Sequence, residues 1–183
     1  RVYFDQFAYE GHSLNHNGRN LGDKDLPTVG RSPQFCHSPM HIRFIKAEAT
    51  YPLRLMVLRP GGIVEDTHFP NDRLEGAFHL AAQIHQQLIS VASFYPEKNS
   101  ALLGWKQYRL RGMATHPDFA GKGAGSLLIR FALDHLKAQH ADLVWCNARL
   151  LAVPFYKNMG FETIGEQFDI EGIGPHYLMH RPV

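Results

Sequence analysis

Hydrophobic and polar positions alternate along several stretches of the chain, which is the pattern of half-buried β-strands. The alternation runs through residues 41–45 and returns through residues 105–115. Between them lie two apolar runs, residues 77–84 and 88–95, separated only by residues 85–87, which predicts a β-hairpin. The first half of the domain should therefore form antiparallel strands.

Helical spacing replaces the strand pattern at two places. Residues 51–58 predict a short helix that ends at a Pro-Gly-Gly turn, and the polar residues 65–75 predict a loop. Apolar residues recur at helical spacing over 127–136, as in an amphipathic helix packed on a sheet. The continuously apolar run 143–146 suits a buried strand parallel to the strand before that helix, which gives one β-α-β unit.

The C-terminal part predicts one more helix and two more strands. Residues 153–158 form a short helical segment closed by Gly160, and strands should follow over 161–168 and 176–180. The whole pattern predicts a mixed α/β (α+β) fold with helices between strands of a mixed sheet.

Residues 1–39 show no hydrophobic period, in contrast to the part that begins at Met40. Their Gly, Asn, His, Asp and Pro content predicts an N-terminal extension that is poorly packed or not native to the domain. We therefore expect a single domain over residues 40–183, a length that can bury a core without metals or disulfides.

Composition and charge narrow the classes of function. Hydrophobic residues make up 44% and charged residues 20% of the chain, as in ordinary soluble domains. A formal charge of +2 without a basic run argues against nucleic acid as a partner. Two cysteines, Cys36 and Cys146, do not resemble a disulfide framework, and the sequence shows neither the pattern of a membrane-spanning stretch nor that of a secretion signal. We expect a cytoplasmic protein.

The most specific local feature is the glycine turn at residues 121–126. Gly121, Gly123 and Gly125 lack the Cβ atoms that would hold a pyrophosphate away from the N–H groups at a helix start. Lys122 adds a positive charge, and Ser126 can contact a phosphate. The spacing does not match a P-loop, and Ser126 replaces the third glycine of a dinucleotide motif. By itself, the turn could also be a bend without a ligand.

Three segments together resemble the GNAT acetyltransferase superfamily. They are residues 113–117 (MATHP), residues 121–128 (GKGAGSLL) and residues 155–161 (FYKNMGF). The C-terminal stretch 171–176 (EGIGPH), with Met179 after it, is similar to an uncharacterised bacterial-type branch of that superfamily. The resemblance covers the chain from about Met40 onward.

The resemblance implies a mostly antiparallel sheet of about six to seven strands with a splayed parallel pair, flanked by about four helices. It implies acetyl-CoA as cosubstrate, with pantetheine along Met113, Ala114 and Thr115. The pyrophosphate would lie on Gly121, Lys122, Gly123, Ala124, Gly125 and Ser126 of the turn. Tyr156 would stand near the sulfur and protonate the leaving thiolate. The implied reaction is direct acetyl transfer in a ternary complex to a primary amine of a small molecule or protein.

Two positions depart from the family pattern. Ala120 stands where Gln or Arg usually precedes the turn, and Arg149 stands where Asn is often found before the tyrosine. The first weakens one phosphate contact, and the second alters cofactor contacts near the helix.

The acceptor side is less constrained by the sequence. Glu166, His116 and His176 are the candidates for the general base, and Arg109 with Arg111 could face an acidic acceptor or be solvated. No pattern of metal ligands is found. The alternatives left open are a non-catalytic acyl-CoA-binding regulatory module and a dinucleotide-binding domain. A homodimer is left open as well.

Overall fold

A computed structural model describes residues 39–183, and the predicted extension lies outside the described residues except for Pro39. The strand predictions are confirmed with small shifts of their ends. The strands are β1 (His41–Ile45), β2 (Phe78–Ile84), β3 (Gln87–Pro96), β4 (Gln107–Thr115), β5 (Leu143–Arg149), β6 (Glu162–Ile170) and β7 (Gly174–Pro182).

Three α-helices occur in the described part of the chain, as the hydrophobic periodicity predicts, where the family resemblance implies about four. They are α1 (Tyr51–Leu58), α2 (Ala124–Ala138) and α3 (Val153–Asn158). The polar stretch predicted as a loop contains two short 3-10 turns, Val64–Thr67 and Pro70–Arg73. Within residues 39–183, no helix combines the length and apolar character needed to cross a membrane.

Strand β4 begins two residues later than the alternating pattern predicts. Trp105 is 86% exposed, and the backbone N–H groups of Trp105 and Lys106 donate to Asp142 Oδ2 at 2.6 and 2.8 Å. These N–H groups are satisfied by a side chain, so this segment forms a loop at the end of the sheet.

The seven strands of the described region form one sheet in the order β1-β2-β3-β4-β5-β7-β6. All neighbouring pairs are antiparallel except β4 and β5, which are parallel as predicted. The position of β7 between β5 and β6 does not follow from the sequence pattern, because β6 and β7 form a hairpin that could add through either strand.

Helices cover both faces of this sheet. The inner face of α2, with Leu128, Ile129 and Leu136, packs against strand residues such as Leu80 and Leu110. On the opposite face, a smaller cluster joins Leu53 of α1 to Ala81, Val91 and Ala114. The sheet therefore lies between α2 and α3 on one side and α1 on the other, and a gap in the sheet would connect the two sides.

Candidate active site

Such a gap lies between the parallel strands. Strands β4 and β5 pair only over three residue pairs, from Gln107↔Leu143 to Arg109↔Trp145. Beyond Arg109 the strands separate, and the rest of β4 keeps only β3 as a neighbour. This splay leaves one edge of β4 without a partner strand and opens the middle of the sheet.

Gly112 allows the backbone of β4 to bend at the splay. Its φ is +63°, and the register between β3 and β4 shifts opposite it, between Val91 and Ser93. A Cβ atom at this position would lie 2.7 Å from both Arg54 Nε and Phe69 Cε2. Only glycine combines this conformation with such close packing.

The first of two cavities at the splay lies on the α2 side, and we call it the turn cavity. Its volume is ≈ 440 Å³. The lining residues are Met113, Thr115, Phe119, Ala120, Gly121, Gly123, Ala124, Gly125, Ser126, Ala152, Phe155 and Tyr156.

Most of the residues predicted to bind the cosubstrate line the turn cavity, but two do not. Ala114 is buried on the opposite face of the sheet, since side chains alternate along a strand. The Lys122 ammonium lies 5.1 Å from the centre of the Phe119 ring. Phe119, Ala152 and Phe155 were missed by sequence reasoning, because apolar residues in such positions give no chemical signal.

The glycine turn presents free backbone donors to the turn cavity. Gly121 and Gly123 have φ values of +73° and +84°, and the space on their Cβ side is open to at least 4 Å. Within the described residues, the N–H groups of Gly123, Ala124, Gly125 and Ser126 have no acceptor. Converging N–H groups at the start of α2 can bind an anion such as a pyrophosphate.

The second cavity lies on the α1 side, and we call it the arginine cavity. Its volume is ≈ 270 Å³. The lining residues come from α1, the first 3-10 turn and Phe69 after it, β4, β5, α3 and the β6–β7 hairpin. The charged or histidine residues among them are Arg54, Arg59, Asp66, Arg109, Arg111, Arg149 and His176.

A buried network around Arg54 forms one wall of the arginine cavity. Arg54 is fully buried and donates to both carboxylate oxygens of Asp72, at 2.8 and 3.0 Å. It also donates to Ser93 Oγ and to the hydroxyl of Tyr95, which in turn donates to Asp72 at 2.5 Å. Burial raises the pKa of Asp72, but hydrogen bonds from Arg54, Tyr95 and the Phe69 N–H outweigh it, and the pKa lies below its ordinary value.

Tyr156 stands at the junction of the two cavities. Both are lined by Tyr156, Met113 and Ala152, and the Tyr156 hydroxyl lies 3.7 Å from Met113 Sδ. Its ring packs edge-to-face on Phe155 and Phe161. Burial raises the pKa of Tyr156 well above 10, so its hydroxyl carries a proton at neutral pH.

Of the three candidate bases, the structure places only His176 in a cavity. Its Nδ1 lies 2.7 Å from the carbonyl oxygen of Gly174, which can only accept, so Nδ1 carries the hydrogen. In the neutral ring Nε2 is then the acceptor, and it has no hydrogen-bond partner among the described residues. His116 instead accepts the backbone N–H of Asp118, and neither His116 nor Glu166 lines a cavity.

Comparison with known proteins identifies the architecture. Residues 64–179 match the family model of the acetyltransferase (GNAT) domain. The chain belongs to the GNAT acetyltransferase family. The chain is 39% identical to the uncharacterized N-acetyltransferase YitI of Bacillus subtilis (strain 168). The alignment spans 142 residues, which are 78% of this chain and 95% of that protein. The protein is an acyltransferase, and GNAT enzymes use an acyl-CoA as cosubstrate.

Solved structures share this GNAT fold. The ribosomal-protein-S18-alanine N-acetyltransferase from Escherichia coli superposes with a TM-score of 0.62 at 16% identity, covering 79% of this chain and 94% of that one. An aminoglycoside 6'-N-acetyltransferase complexed with coenzyme A gives a TM-score of 0.58 at 12% identity, covering 78% and 96%. At such low identity, these likenesses establish the fold alone.

Proposed function

We propose that residues 40–183 form an N-acetyltransferase domain that transfers the acetyl group of acetyl-CoA directly to a primary amine. The observation that carries the proposal is the Tyr156 hydroxyl at the junction of the turn cavity and the arginine cavity. An acyl donor in one cavity and an acceptor in the other would meet at this hydroxyl. The reaction then takes place in a ternary complex.

The turn cavity fits the donor. The unpaired edge of β4 at Met113, Ala114 and Thr115 can bind the amide groups of pantetheine as an added strand would. The free N–H groups of residues 123–126 can bind the pyrophosphate. Because Lys122 lies outside the lining, it contributes longer-range attraction rather than a direct contact.

The transfer requires two proton movements. The amine nitrogen attacks the thioester carbonyl carbon, and the carbon–sulfur bond then breaks. The amine loses its proton to Nε2 of His176, and the departing thiolate receives a proton from the Tyr156 hydroxyl. Unpaired N–H groups on β4 near Met113 polarise the carbonyl oxygen while charge develops on it.

Cys146 supports direct transfer over an acyl-enzyme. It lines the arginine cavity, but burial raises the pKa of its thiol far above the ordinary range. A thiol that stays protonated is a poor nucleophile. The acetyl group therefore passes to the amine without stopping on this cysteine.

Two measurements on the purified protein test the proposal. Acetyl-CoA should raise the melting temperature where NAD and NADP do not, and thiol release should depend on an added amine. Protection by NAD or NADP alone would instead favour the dinucleotide-binding alternative. Binding of CoA without thiol release, across amines, amino acids and peptides, would favour a non-catalytic regulatory module.

Cytoplasmic location and a homodimer stay predictions from the sequence. Size-exclusion chromatography with light scattering would decide whether the protein is a homodimer.

A further inference from the structure

The arginine cavity carries more positive charge than its own carboxylates neutralise. Arg54 and Arg109 pair with Asp72 and Glu97 at 2.8 and 2.7 Å. The other three arginines that line the cavity, Arg59, Arg111 and Arg149, have no carboxylate within 4.0 Å in the described region.

Asp66 does not change this imbalance. It is the one carboxylate that lines the cavity within residues 39–183, and its Oδ2 accepts the backbone N–H of Ile63 at 3.0 Å. A single carboxylate cannot neutralise three guanidinium groups. The cavity therefore favours an anionic ligand.

Arg111 is the arginine whose surroundings most favour an anion. Its guanidinium is half-buried and lies 4.1 Å from the centre of the Phe69 ring. Burial, and then the charge of Arg109, lower the pKa of Arg111, which shows that the site disfavours its positive charge. A half-buried cation without a counterion is costly, and a bound carboxylate would remove that cost.

Neighbouring donors are also unsatisfied. The Nε–H groups of Arg54 and Arg109 are buried and have no acceptor among the described residues. Both side chains line the same cavity as Arg111. Hydrogen-bond donors in excess over acceptors point to a ligand that supplies acceptors.

The position of Arg111 relates the anion to the reaction centre. Arg111 lies two residues before Met113 on β4, so their Cα atoms are at most about 7 Å apart. Met113 contacts the Tyr156 hydroxyl. Arg149 is at the end of β5 on the other side of the splay. In the antiparallel register of β5 and β7, Arg149 lies opposite His176. A ligand held by Arg111 would thus place an amine a few bonds away near Tyr156 and His176.

We infer that the acceptor is a small amine that also bears a carboxylate, which Arg111 binds through paired hydrogen bonds and Arg149 attracts from the opposite wall. This inference rests on the proposed N-acetyltransferase function. It names the substrate class as amino acids or amino-acid-like compounds. A planar guanidinium matches the two oxygens of a carboxylate.

The experiment compares matched pairs of acceptors with acetyl-CoA as donor. Each pair is an amino acid and the amine that lacks its carboxylate, such as L-phenylalanine with phenethylamine and L-leucine with 3-methylbutylamine. β-Alanine and O-phosphoethanolamine compare a carboxylate with a phosphate. We expect kcat/KM to be at least about 10-fold higher for the carboxylate member of each pair.

Variants then assign the preference to one residue. Arg111→Gln should raise KM for the amino acids about 10- to 100-fold with a smaller change in kcat. It should leave KM and kcat for the amines that lack a carboxylate unchanged. Arg111→Lys should restore part of the affinity, since the charge remains while the paired geometry is lost. Arg43→Gln on the exposed side of β1 is the matched control and should change neither value.

The outcomes separate this inference from the proposed function. Equal turnover of both members of each pair, a preference for O-phosphoethanolamine, or unchanged kinetics of Arg111→Gln would overturn the carboxylate assignment while the acetyltransferase activity stands. No thiol release with any amine, despite acetyl-CoA binding, would overturn both. Melting temperatures of the variants show that each one is folded.

Discussion

The turn cavity and the arginine cavity meet at Tyr156, yet they are built in opposite ways. Among the residues that the structure describes, no charged side chain lines the turn cavity, and most of its wall comes from one continuous segment, residues 113–126. The arginine cavity is lined by five arginines on α1, the turn after it, β4 and β5. The proposed donor side therefore relies on backbone groups, and the proposed acceptor side relies on side chains brought together by the fold.

This difference matches the two binding tasks. GNAT enzymes use an acyl-CoA as donor, and backbone N–H groups and an open strand edge can bind its CoA part with few requirements on side chains. The acceptor side must tell one amine from others, which requires side chains of particular charge and shape. Changes on the two sides should therefore have separable effects.

The largest expected effect is at the junction. Tyr156→Phe removes the proposed proton donor but keeps the ring packing on Phe155 and Phe161, so kcat should fall about 10² to 10⁴-fold with little change in stability. Steady-state kinetics and thermal unfolding measure both. Tyr177→Phe is the control, since Tyr177 lines neither cavity. Unchanged turnover of Tyr156→Phe would remove this residue from the mechanism.

Loss of the Asp72 carboxylate should destabilise the acceptor side. Asp72→Asn leaves the buried charge of Arg54 uncompensated, which should lower the free energy of unfolding by about 3–5 kcal/mol. Urea denaturation measures the change. Glu48→Gln, which breaks an exposed pair with Arg73, should have little effect. Equal stability of the two variants would show that the buried pair is not needed.

The same carboxylate predicts an acid limit to stability. The pKa of Asp72 lies below its ordinary value, so its stabilising contribution is complete above about pH 4 and is lost as the pH falls through the folded-state pKa. In Asp72→Asn, the free energy of unfolding should therefore change less with pH in this acid range than in the wild-type protein.

The choice among the candidate bases can be tested with matched substitutions. His176→Asn keeps a donor for the Gly174 carbonyl but removes the Nε2 acceptor, so kcat/KM should fall about 10²- to 10³-fold. His116→Asn keeps an acceptor for the Asp118 N–H outside both cavities and should retain wild-type kinetics. Similar losses in the two variants would contradict the assignment to His176.

The smallest effect tests the donor side alone. Ser126→Asp adds a negative charge at the first turn of α2, which favours the helix but repels the pyrophosphate. The Kd for CoA should rise about 10- to 100-fold, while the melting temperature without CoA should not fall. Ala138→Glu adds the same charge at the other end of α2 and controls for net charge. Unchanged CoA affinity in Ser126→Asp would contradict a phosphate site at the turn.

The fold was largely predictable because its elements follow local periods. The bounds of α1 and α3 agree with the sequence prediction, and each predicted strand is present. The sequence prediction was wrong where residues distant in the chain determine the local structure. Trp105 lies outside β4 because Asp142 accepts its N–H, and β7 inserts beside β5, which no local pattern specifies.

The sequence predicted more of the turn cavity than of the arginine cavity, for which it offered Arg109, Arg111 and His176 as candidates. The glycine turn and Tyr156 were found from short motifs, but Arg54, Phe69 and Asp72 gave no signal. Their contacts join residues far apart in the chain, and an arginine at the start of a short helix looks like an exposed charge. Arg149 was noted only as a departure from the family pattern.

By itself, the sequence determined the order of strands and helices along the chain, and it predicted the phosphate-binding turn and the proton donor. Each of these depends on neighbouring residues through backbone conformation and hydrophobic periodicity. Only the tertiary structure decided the balance of positive and negative side chains in the arginine cavity. Whether an arginine there is neutralised depends on which carboxylates the fold brings near it, and for Arg111 and Arg149 it brings none within residues 39–183.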